Sequence, residues 1–326
     1  MAALLGVVVL AACSENPADK PPPTVAPAAP AVSPPITAAP AGVVRPLPIK
    51  ATGAMFDPAT SSLVVLGGDS LAVVPAHGGD PRTIPLPGDT TALSGDAAGV
   101  ALLSTRGGYF RVDVRTGQVA KLGIRGHDGT DFTAIARRTD GKLVLGTADG
   151  AVDTLGSDTT VAAEVKIFAR VDAIATQGNT AVVLDRGQTS VTTIDPSGGH
   201  AEHALRAGEG ATTLTVDPVG RALVADTRGG SLLVFGVDPL ILRQSYPVRD
   251  APYGLAGTRT LAWVSLTAAN VVVGYDLATG IPVEKVRYPT VRQPDVLAFD
   301  EAANTLYVVS GSGDGVQVID NAGRPR

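Results

Sequence analysis

Short apolar runs separated by turn residues dominate the chain from Val43 to its end. Glycine, aspartate, asparagine and proline stand between these runs, and no amphipathic helical pattern persists over three turns. This alternation is typical of β-strands joined by tight turns. The pattern therefore predicts an all-β fold for this region.

One motif recurs through the region: a small or β-branched residue followed by a large aliphatic residue. The large residues are Met55, Leu93, Ile135, Ile174, Leu214, Leu255 and Leu297. Successive members are separated by 38, 42, 39, 40, 41 and 42 positions. A four-stranded propeller blade needs roughly 40 residues. The repeat therefore predicts a seven-bladed β-propeller over residues 43–326.

The two ends of the repeat region complement each other. The seventh repeat reaches its third strand at Val316–Asp320, and only residues 321–326 follow. A spare strand lies at the other end, in Val43–Ile49. We expect this strand to pair into the last blade and close the ring, because that pairing removes two exposed strand edges. Its prolines suit an outermost strand, where one side of the backbone needs no partner.

The last two repeats carry a family resemblance. The segments Ala251–Ala256, Val273–Gly280, Thr305–Ser310 and Gly315–Asp320 resemble the YVTN (YncE-like) propeller repeats, although the Tyr-Val-Thr-Asn tetrapeptide itself is absent. The resemblance implies a seven-bladed propeller that is commonly secreted or periplasmic, and often of unknown ligand.

The N-terminus has the composition of a secretory leader. Residues 1–12 are almost wholly apolar, with no Lys or Arg among them. As a helix they would rise only ~18 Å, too short for a bilayer core of ~30 Å, but this length fits the apolar region of a signal peptide. The sequence Leu10-Ala11-Ala12-Cys13 resembles the bacterial lipobox. The resemblance implies that residues 1–12 are removed and that Cys13 is lipidated on the outer face of the bacterial cytoplasmic membrane. The alternative is a chance cysteine in a secretory leader.

Residues 13–42 connect this leader to the propeller. Proline and alanine dominate from Ser14 to Gly42. Such a sequence cannot bury a core and favours extended polyproline II structure. About 29 residues at ~3.1 Å each could reach up to ~90 Å. We expect a disordered, flexible linker that lifts the propeller off the membrane. The alternative is a ligand for a proline-reading module.

Composition and charge limit the classes of partner that we expect the protein to bind. A net charge of −5 provides no global basic field, so we expect no nucleic-acid partner. Hydrophobic residues make up 44% and charged residues 17% of the chain, which, with abundant glycine, favours a β-rich fold. Cys13 is the single cysteine, which excludes an intrachain disulfide. We expect a monomer without a cofactor, in contact with the membrane through its lipid anchor.

The sequence lacks the common catalytic motifs. No Gly-x-Ser-x-Gly elbow, His-Glu-x-x-His site or phosphate loop occurs. The close pair His200 and His203 falls on the outer strand of the fourth repeat, where a solvated edge is favoured over a metal site. His127 lies in the longest inter-blade loop with Asp128 and Asp131, where a hydrated loop is favoured over a site. We therefore predict no catalytic residue and no metal ligand.

The repeat register instead points to the mouth of the central channel. Two positions before each large aliphatic residue stand Gly53, Thr91, Thr133, Asp172, Thr212, Tyr253 and Asp295. Basic residues precede several of them, at Lys50, Arg170, Arg249 and Arg292. Loops between second and third strands on the same face add Arg106, Arg186 and Arg228. We predict a ligand-binding site formed by Arg106, Arg170, Asp172, Arg186, Arg228, Arg249, Tyr253, Arg292 and Asp295.

The arginines indicate the class of ligand. A guanidinium fork suits carboxylate, phosphate or sulfate. Candidate ligands are therefore an acidic peptide of an envelope protein, an acidic envelope glycan or a phosphorylated small molecule. The alternative is that the arginines pair with neighbouring aspartates in loop salt bridges of little energetic weight.

Two function classes fit this site. The first is a membrane-anchored, non-enzymatic binding or scaffold protein. The second is a propeller hydrolase or lyase, lactonase-like, with its active site at the channel mouth. Asp172 and Asp295 are the carboxylates in register at the mouth, no histidine is in register, and Trp263 is the single tryptophan, unlike the recurrent tryptophans of propeller quinoproteins. The binding function is therefore favoured.

Overall fold

A computed structural model describes residues 23–47 and 49–324. These residues contain no helix, and their 28 strands form seven four-stranded antiparallel sheets. The sheets are blades in a ring whose inner strands contact one another, so the predicted seven-bladed β-propeller is confirmed. None of the described residues belongs to a helix that is long and apolar enough to cross a membrane. Cys13, the predicted leader and residues 14–22 of the predicted linker lie outside the described residues.

Blades 1 to 6 are each built from four consecutive strands, ordered from the axis outward. Blade 1 contains β2 (Gly53–Asp57), β3 (Ser62–Leu66), β4 (Ser70–Pro75) and β5 (Arg82–Pro85). Blade 2 contains β6 (Leu93–Gly95), β7 (Val100–Thr105), β8 (Gly108–Asp113) and β9 (Val119–Gly123). Blade 3 contains β10 (Phe132–Arg137), β11 (Leu143–Thr147), β12 (Ala151–Ser157) and β13 (Thr160–Lys166).

The other three consecutive blades follow the same order. Blade 4 contains β14 (Ala173–Gln177), β15 (Thr180–Asp185), β16 (Ser190–Ile194) and β17 (Ala201–Arg206). Blade 5 contains β18 (Ala211–Val216), β19 (Arg221–Asp226), β20 (Ser231–Val237) and β21 (Leu240–Pro247). Blade 6 contains β22 (Pro252–Gly257), β23 (Leu261–Leu266), β24 (Val271–Asp276) and β25 (Val283–Pro289).

Blade 7 combines the two ends of the repeat region. It contains β26 (Val296–Asp300), β27 (Thr305–Val309), β28 (Val316–Ile319) and, outermost, β1 (Val43–Arg45). Strand β1 runs antiparallel to β28, with Val43 opposite Val318. The predicted closure by an N-terminal strand is confirmed. The strand is shorter than the predicted 43–49, because Pro46 has no N–H to continue the ladder.

Apolar packing between neighbouring blades forms the core. Seven clusters of buried residues each join two adjacent blades. The cluster between blades 7 and 1 includes Leu47, which follows β1 and is only 5% exposed. Small and large residues alternate at these contacts: a Cβ at Gly95 of blade 2 would lie 2.5 Å from Met55 Sδ of blade 1. This complementarity explains the small-large motif that recurs along the sequence.

Closing the ring should contribute measurably to stability. A chain that begins at Thr52 loses β1 and the buried Leu47 side chain, and it leaves β28 with an unpaired edge. We expect its free energy of unfolding to fall by at least about 2 kcal/mol, the low end of the cost of truncating one buried leucine. The measurement is denaturant unfolding against a chain that begins at Ala41. Equal stability of the two chains would show that β1 does not close the ring.

Candidate functional site

The inner strands enclose a polar cavity of about 670 Å³ on the propeller axis. All seven blades contribute to its wall. Six of the seven predicted mouth positions line it, namely Gly53, Thr91, Asp172, Thr212, Tyr253 and Asp295. Arg186, from the loop after the second strand of blade 4, also lines it. A cavity with hydroxyl, carboxyl and guanidinium groups from several blades can hold a polar ligand by hydrogen bonds in many directions.

Thr133, the seventh mouth position, is turned away from the cavity. It lies at an irregularity in β10, where the pairing register with β11 shifts between Phe132 and Ala134. The residue is buried, and its hydroxyl donates to the carbonyl oxygen of Val171. At this β-bulge the Thr133 side chain therefore contributes to the contact between blades 3 and 4.

Asp172 of the cavity wall is hydrogen-bonded through both of its carboxylate oxygens. Its Oδ1 accepts a hydrogen bond from Arg170 Nε at 3.0 Å, and its Oδ2 accepts one from the main-chain N–H of Arg186 at 2.8 Å. Burial raises the pKa of Asp172 above its usual range, against the opposing effect of these two arginines. The Arg170–Asp172 pair is the loop salt bridge that the alternative interpretation of the sequence anticipates.

Blades 6 and 7 supply two further titratable groups. Asp295 Oδ1 accepts a hydrogen bond from Gln293 Nε2 at 2.9 Å, and burial raises the pKa of the Asp295 carboxyl. Burial likewise raises the pKa of Tyr253, so its phenol stays protonated and can donate or accept a hydrogen bond. All three groups thus have their pKa raised chiefly by burial in the wall of the cavity.

Arg186 is the cationic side chain of the cavity wall. One terminal nitrogen donates to the main-chain oxygen of Ala28. Its Nε is buried and has no hydrogen-bond partner among the described residues. No described carboxylate forms an ion pair with its guanidinium, although the charge acts on Asp172 from a distance. The guanidinium charge therefore remains available to a ligand.

The other predicted arginines lie on the exposed rim rather than in the cavity wall. Arg106 pairs with Asp131 at 3.4 Å, with both side chains more than half exposed. Arg249 is exposed and has no hydrogen-bond or ion-pair partner among the described residues. The structure thus brings Asp172, Arg186, Tyr253 and Asp295 together and leaves the remaining predicted site residues around them.

Arg228 and Arg292 reach a partner that the sequence did not suggest. Arg228 Nη2 donates to the main-chain oxygen of Ala26 at 2.6 Å, and Arg292 Nε lies 3.4 Å from that of Ser33. Residues 23–42, the described part of the predicted linker, contain no helix or strand and cross the mouth face from blade 4 towards blade 7. Ser33, the one hydroxyl residue between Thr24 and Thr37, is the only sequence signal for this contact.

Two buried aspartates hold the loops that carry these arginines. Asp185, at the end of the second strand of blade 4, accepts main-chain hydrogen bonds from Ala169 and Gln188. Asp226, at the same place in blade 5, accepts them from Gly210 and Gly229. Each carboxylate thereby joins an inter-blade loop to a loop between second and third strands. These residues were missed, although an aspartate directly after a buried second strand was the signal.

The histidines lie apart from the cavity. His200 and His203 are exposed on the outer edge of blade 4. His127 is half-buried, with Nδ1 3.8 Å from Oδ2 of the fully buried Asp153. No group of three or more His, Cys, Asp or Glu residues within the described part of the chain is arranged to hold a metal ion.

Comparisons with known proteins support the propeller fold and indicate no particular family or activity. No family model and no curated protein matches the sequence. Among solved structures, a chain of Kuenenia stuttgartiensis hydrazine synthase superposes with a TM-score of 0.70 at 14% identity, covering 86% of this chain and 98% of its own. Virginiamycin B lyase from Staphylococcus aureus superposes with a TM-score of 0.69 at 12% identity, covering 84% of this chain and 96% of its own. A chain of the mitotic checkpoint complex superposes with a TM-score of 0.73 at 10% identity, covering 90% of this chain and 98% of its own. At these identities the likeness establishes the propeller fold alone.

Asp153 should make the stability of the propeller pH-dependent. Neither of its carboxylate oxygens has a hydrogen-bond partner among the described residues. Burial raises the pKa of Asp153 to about 6, against an opposing effect of His127. Because the folded state holds the proton more tightly than the unfolded chain, stability falls as pH rises from about 4 to about 6 and stays lower above that.

The matching variant is Asp153→Asn, which removes the buried charge. At pH 7.5 we expect it to raise the free energy of unfolding by roughly 2 to 3 kcal/mol, at 1.36 kcal/mol per pKa unit. Below about pH 4 the gain should vanish. Urea unfolding at both pH values measures the difference, and Asp128→Asn, an exposed position in the loop that carries His127, is the control. A gain of the same size at both pH values would contradict the assignment.

Proposed function

We propose that this chain is a membrane-anchored, non-enzymatic binding protein of the bacterial envelope, whose ligand occupies the axial cavity of the propeller. The fold is a scaffold in which seven inner strands meet at one opening. The ligand we propose is a small anionic molecule or an acidic glycan end that also carries hydroxyl groups. Its anionic group pairs with Arg186, and its hydroxyls bind the threonines, Tyr253 and the two carboxyl groups.

The observation that carries this proposal is the position of Arg186. Its guanidinium lines the axial cavity and has no ion-pair partner among the described carboxylates. An uncompensated charge in such a cavity is costly without a ligand and interacts strongly with an anion. Exposed arginines on the rim, Arg228, Arg249 and Arg292, add a positive potential that attracts an anion towards the opening.

The anchor and the family complete the proposal. A lipid on Cys13, following cleavage of residues 1–12, would hold the chain on the outer face of the cytoplasmic membrane, and the last two repeats support membership of the YVTN propellers. We propose that the protein acts as a monomer, because the seven blades close on themselves.

A lyase or hydrolase remains the second candidate, and one observation favours it. Asp172 and Asp295 lie in one cavity, and burial raises the pKa of both carboxyl groups, as is common for catalytic acids. Virginiamycin B lyase also shares the fold. Recovery of the captured ligand intact after prolonged incubation with the protein would favour binding, and recovery of a cleaved product would favour catalysis.

Lipidation is tested at its own residue. Cys13→Ala should move the protein from the membrane fraction to the soluble fraction, because two acyl chains hold a protein stably on a bilayer and the variant has none. Immunoblots of separated fractions measure the shift, and Ser14→Ala is the neighbouring control. Membrane association unchanged in Cys13→Ala would contradict the anchor.

The cavity is tested through Arg186. The lipidated protein is incubated with an envelope extract, and retained small molecules are identified by mass spectrometry of the purified complex. Arg186→Met keeps the length of the side chain and removes its charge, so we expect at least a tenfold loss of the retained anionic ligand. Arg259→Met, an exposed arginine beyond the inner strand of blade 6 on the opposite face, should retain it. Equal retention by the two variants would exclude Arg186 as the ligand's partner.

A further inference from the structure

Residues 25–34, here called the strap, lie on the mouth face beside the axial cavity. The strap begins at blade 4, where the Val25 N–H donates to the Gly187 carbonyl at 2.8 Å. It ends at blade 6, where Asn270 Nδ2 donates to the Pro34 carbonyl at 2.8 Å. Between these points it crosses loops of blades 4, 5 and 6. The strap thus contacts a surface to which several blades contribute.

The propeller holds the strap mainly through the strap's own main chain. Arg186 and Arg228 donate to the carbonyls of Ala28 and Ala26. Further on, the Ala31 N–H donates to Thr267 Oγ1 at 3.1 Å, and Gln293 Nε2 donates to the Ala31 carbonyl at 2.9 Å. Main-chain contacts of this kind recognise an extended backbone rather than one particular sequence.

Gln293 forms the most specific part of the contact. Its side chain donates to Ala31 and accepts the Ser33 N–H at Oε1, 3.0 Å away, so one amide holds the backbone on both sides of Val32. The Ser33 hydroxyl donates to the Thr267 carbonyl at 2.6 Å and accepts the Gln293 N–H at 3.0 Å. A serine at this position is thus satisfied as both donor and acceptor.

Two side chains of the strap are buried, five positions apart. Ala28 is 7% exposed and Ser33 is 3% exposed, whereas Val32 between them is 83% exposed. Space at the first position is small, because a Cβ on Gly210 would already lie 3.0 Å from the Ala28 Cβ. The surface therefore selects a small residue at the first position and serine five positions later.

We propose that this surface is a peptide-binding groove for an extended segment with the pattern small-x-x-x-x-Ser-Pro, and that the strap is its tethered internal occupant. The ligand is a proline-rich stretch of a partner protein. It competes with the strap for Arg186, Arg228, Gln293 and Asn270. A short flexible tether gives the strap an effective concentration in the millimolar range, so the groove opens only to a partner that is tightly bound or locally abundant.

The test uses the full chain and a labelled peptide with the sequence of residues 23–36. The longer side chain of Ser33→Lys has no room in the pocket, and the variant leaves the Gln293 N–H and the Thr267 carbonyl without the Ser33 hydroxyl, so it should release the strap. Val32→Lys, one position away and exposed, is the matched control. Fluorescence anisotropy should show the peptide binding Ser33→Lys at least tenfold more tightly than it binds the unaltered chain or Val32→Lys.

Two further variants fix the site of binding. Adding Gln293→Ala and Asn270→Ala to Ser33→Lys should abolish peptide binding, and a peptide with Lys in place of Ser33 should not bind Ser33→Lys. If Ser33→Lys does not fold, Ala28→Lys takes its place, because it should release the strap at the other pocket. The same anisotropy measurement should then show the same tighter binding of the peptide. Equal peptide affinity of the released and unaltered chains, or binding that survives loss of Gln293 and Asn270, would overturn the proposal. The cavity ligand retained through Arg186 is measured separately, because the peptide assay contains no envelope extract.

Discussion

Each blade of this propeller is apolar on both faces, and only a neighbouring blade can cover a face. The seven core clusters lie between blades, so no blade has a core of its own. An open row of blades would leave two apolar faces in water, and ring closure removes both. Blades 7 and 1 close the ring through the cluster that contains Leu47, and Val43–Arg45 complete blade 7 as its outermost strand. Because the ring must close, the starts of the seven inner strands meet on one axis.

That meeting point explains why the functional groups lie where they do. The backbone of the inner strands is fixed by packing, and the side chains at their first residues are free to differ between blades, as Thr91, Asp172 and Tyr253 do. The loops of this face are anchored in blades 4 and 5, where Asp185 and Asp226 accept their main-chain N–H groups. Arg186, directly after Asp185, is consequently held at the cavity wall, and the strap lies over the best-anchored loops of the ring.

The sequence predicted the features that repeat and missed those that occur once. Seven copies of the small-large motif established the number of blades and the register, and the register placed Asp172, Tyr253 and Asp295 at one cavity. Thr133 was misplaced because the spacing of the repeat does not show that its hydroxyl bonds the Val171 carbonyl of the neighbouring loop. The Arg170–Asp172 pair is local, two positions apart, and was open to prediction.

The strap shows a second limit on what could be predicted from the sequence. A sequence of prolines and alanines cannot form a core, and this correctly predicted that residues 23–42 contain no helix or strand. It did not predict that they contact the propeller, because main-chain hydrogen bonds require no particular side chain. Ser33 alone departs from the composition around it, and its hydroxyl is the one side-chain group of the strap with two partners. Only the fold brings Gln293 and Thr267 to it.

Docking of the strap also changes what the proposed lipid anchor does. A free linker of about 29 residues at ~3.1 Å each lets the propeller move up to ~90 Å from Cys13. With the strap docked from Val25 onward, about 11 residues remain between the anchor and the mouth face, and their reach is ~34 Å. The docked strap begins at the rim of blade 4, so the proposed anchor would hold the propeller by the face that carries the cavity. A partner peptide that displaces the strap would therefore lengthen the tether and free the mouth face from the membrane surface in one step, since both depend on the same hydrogen bonds.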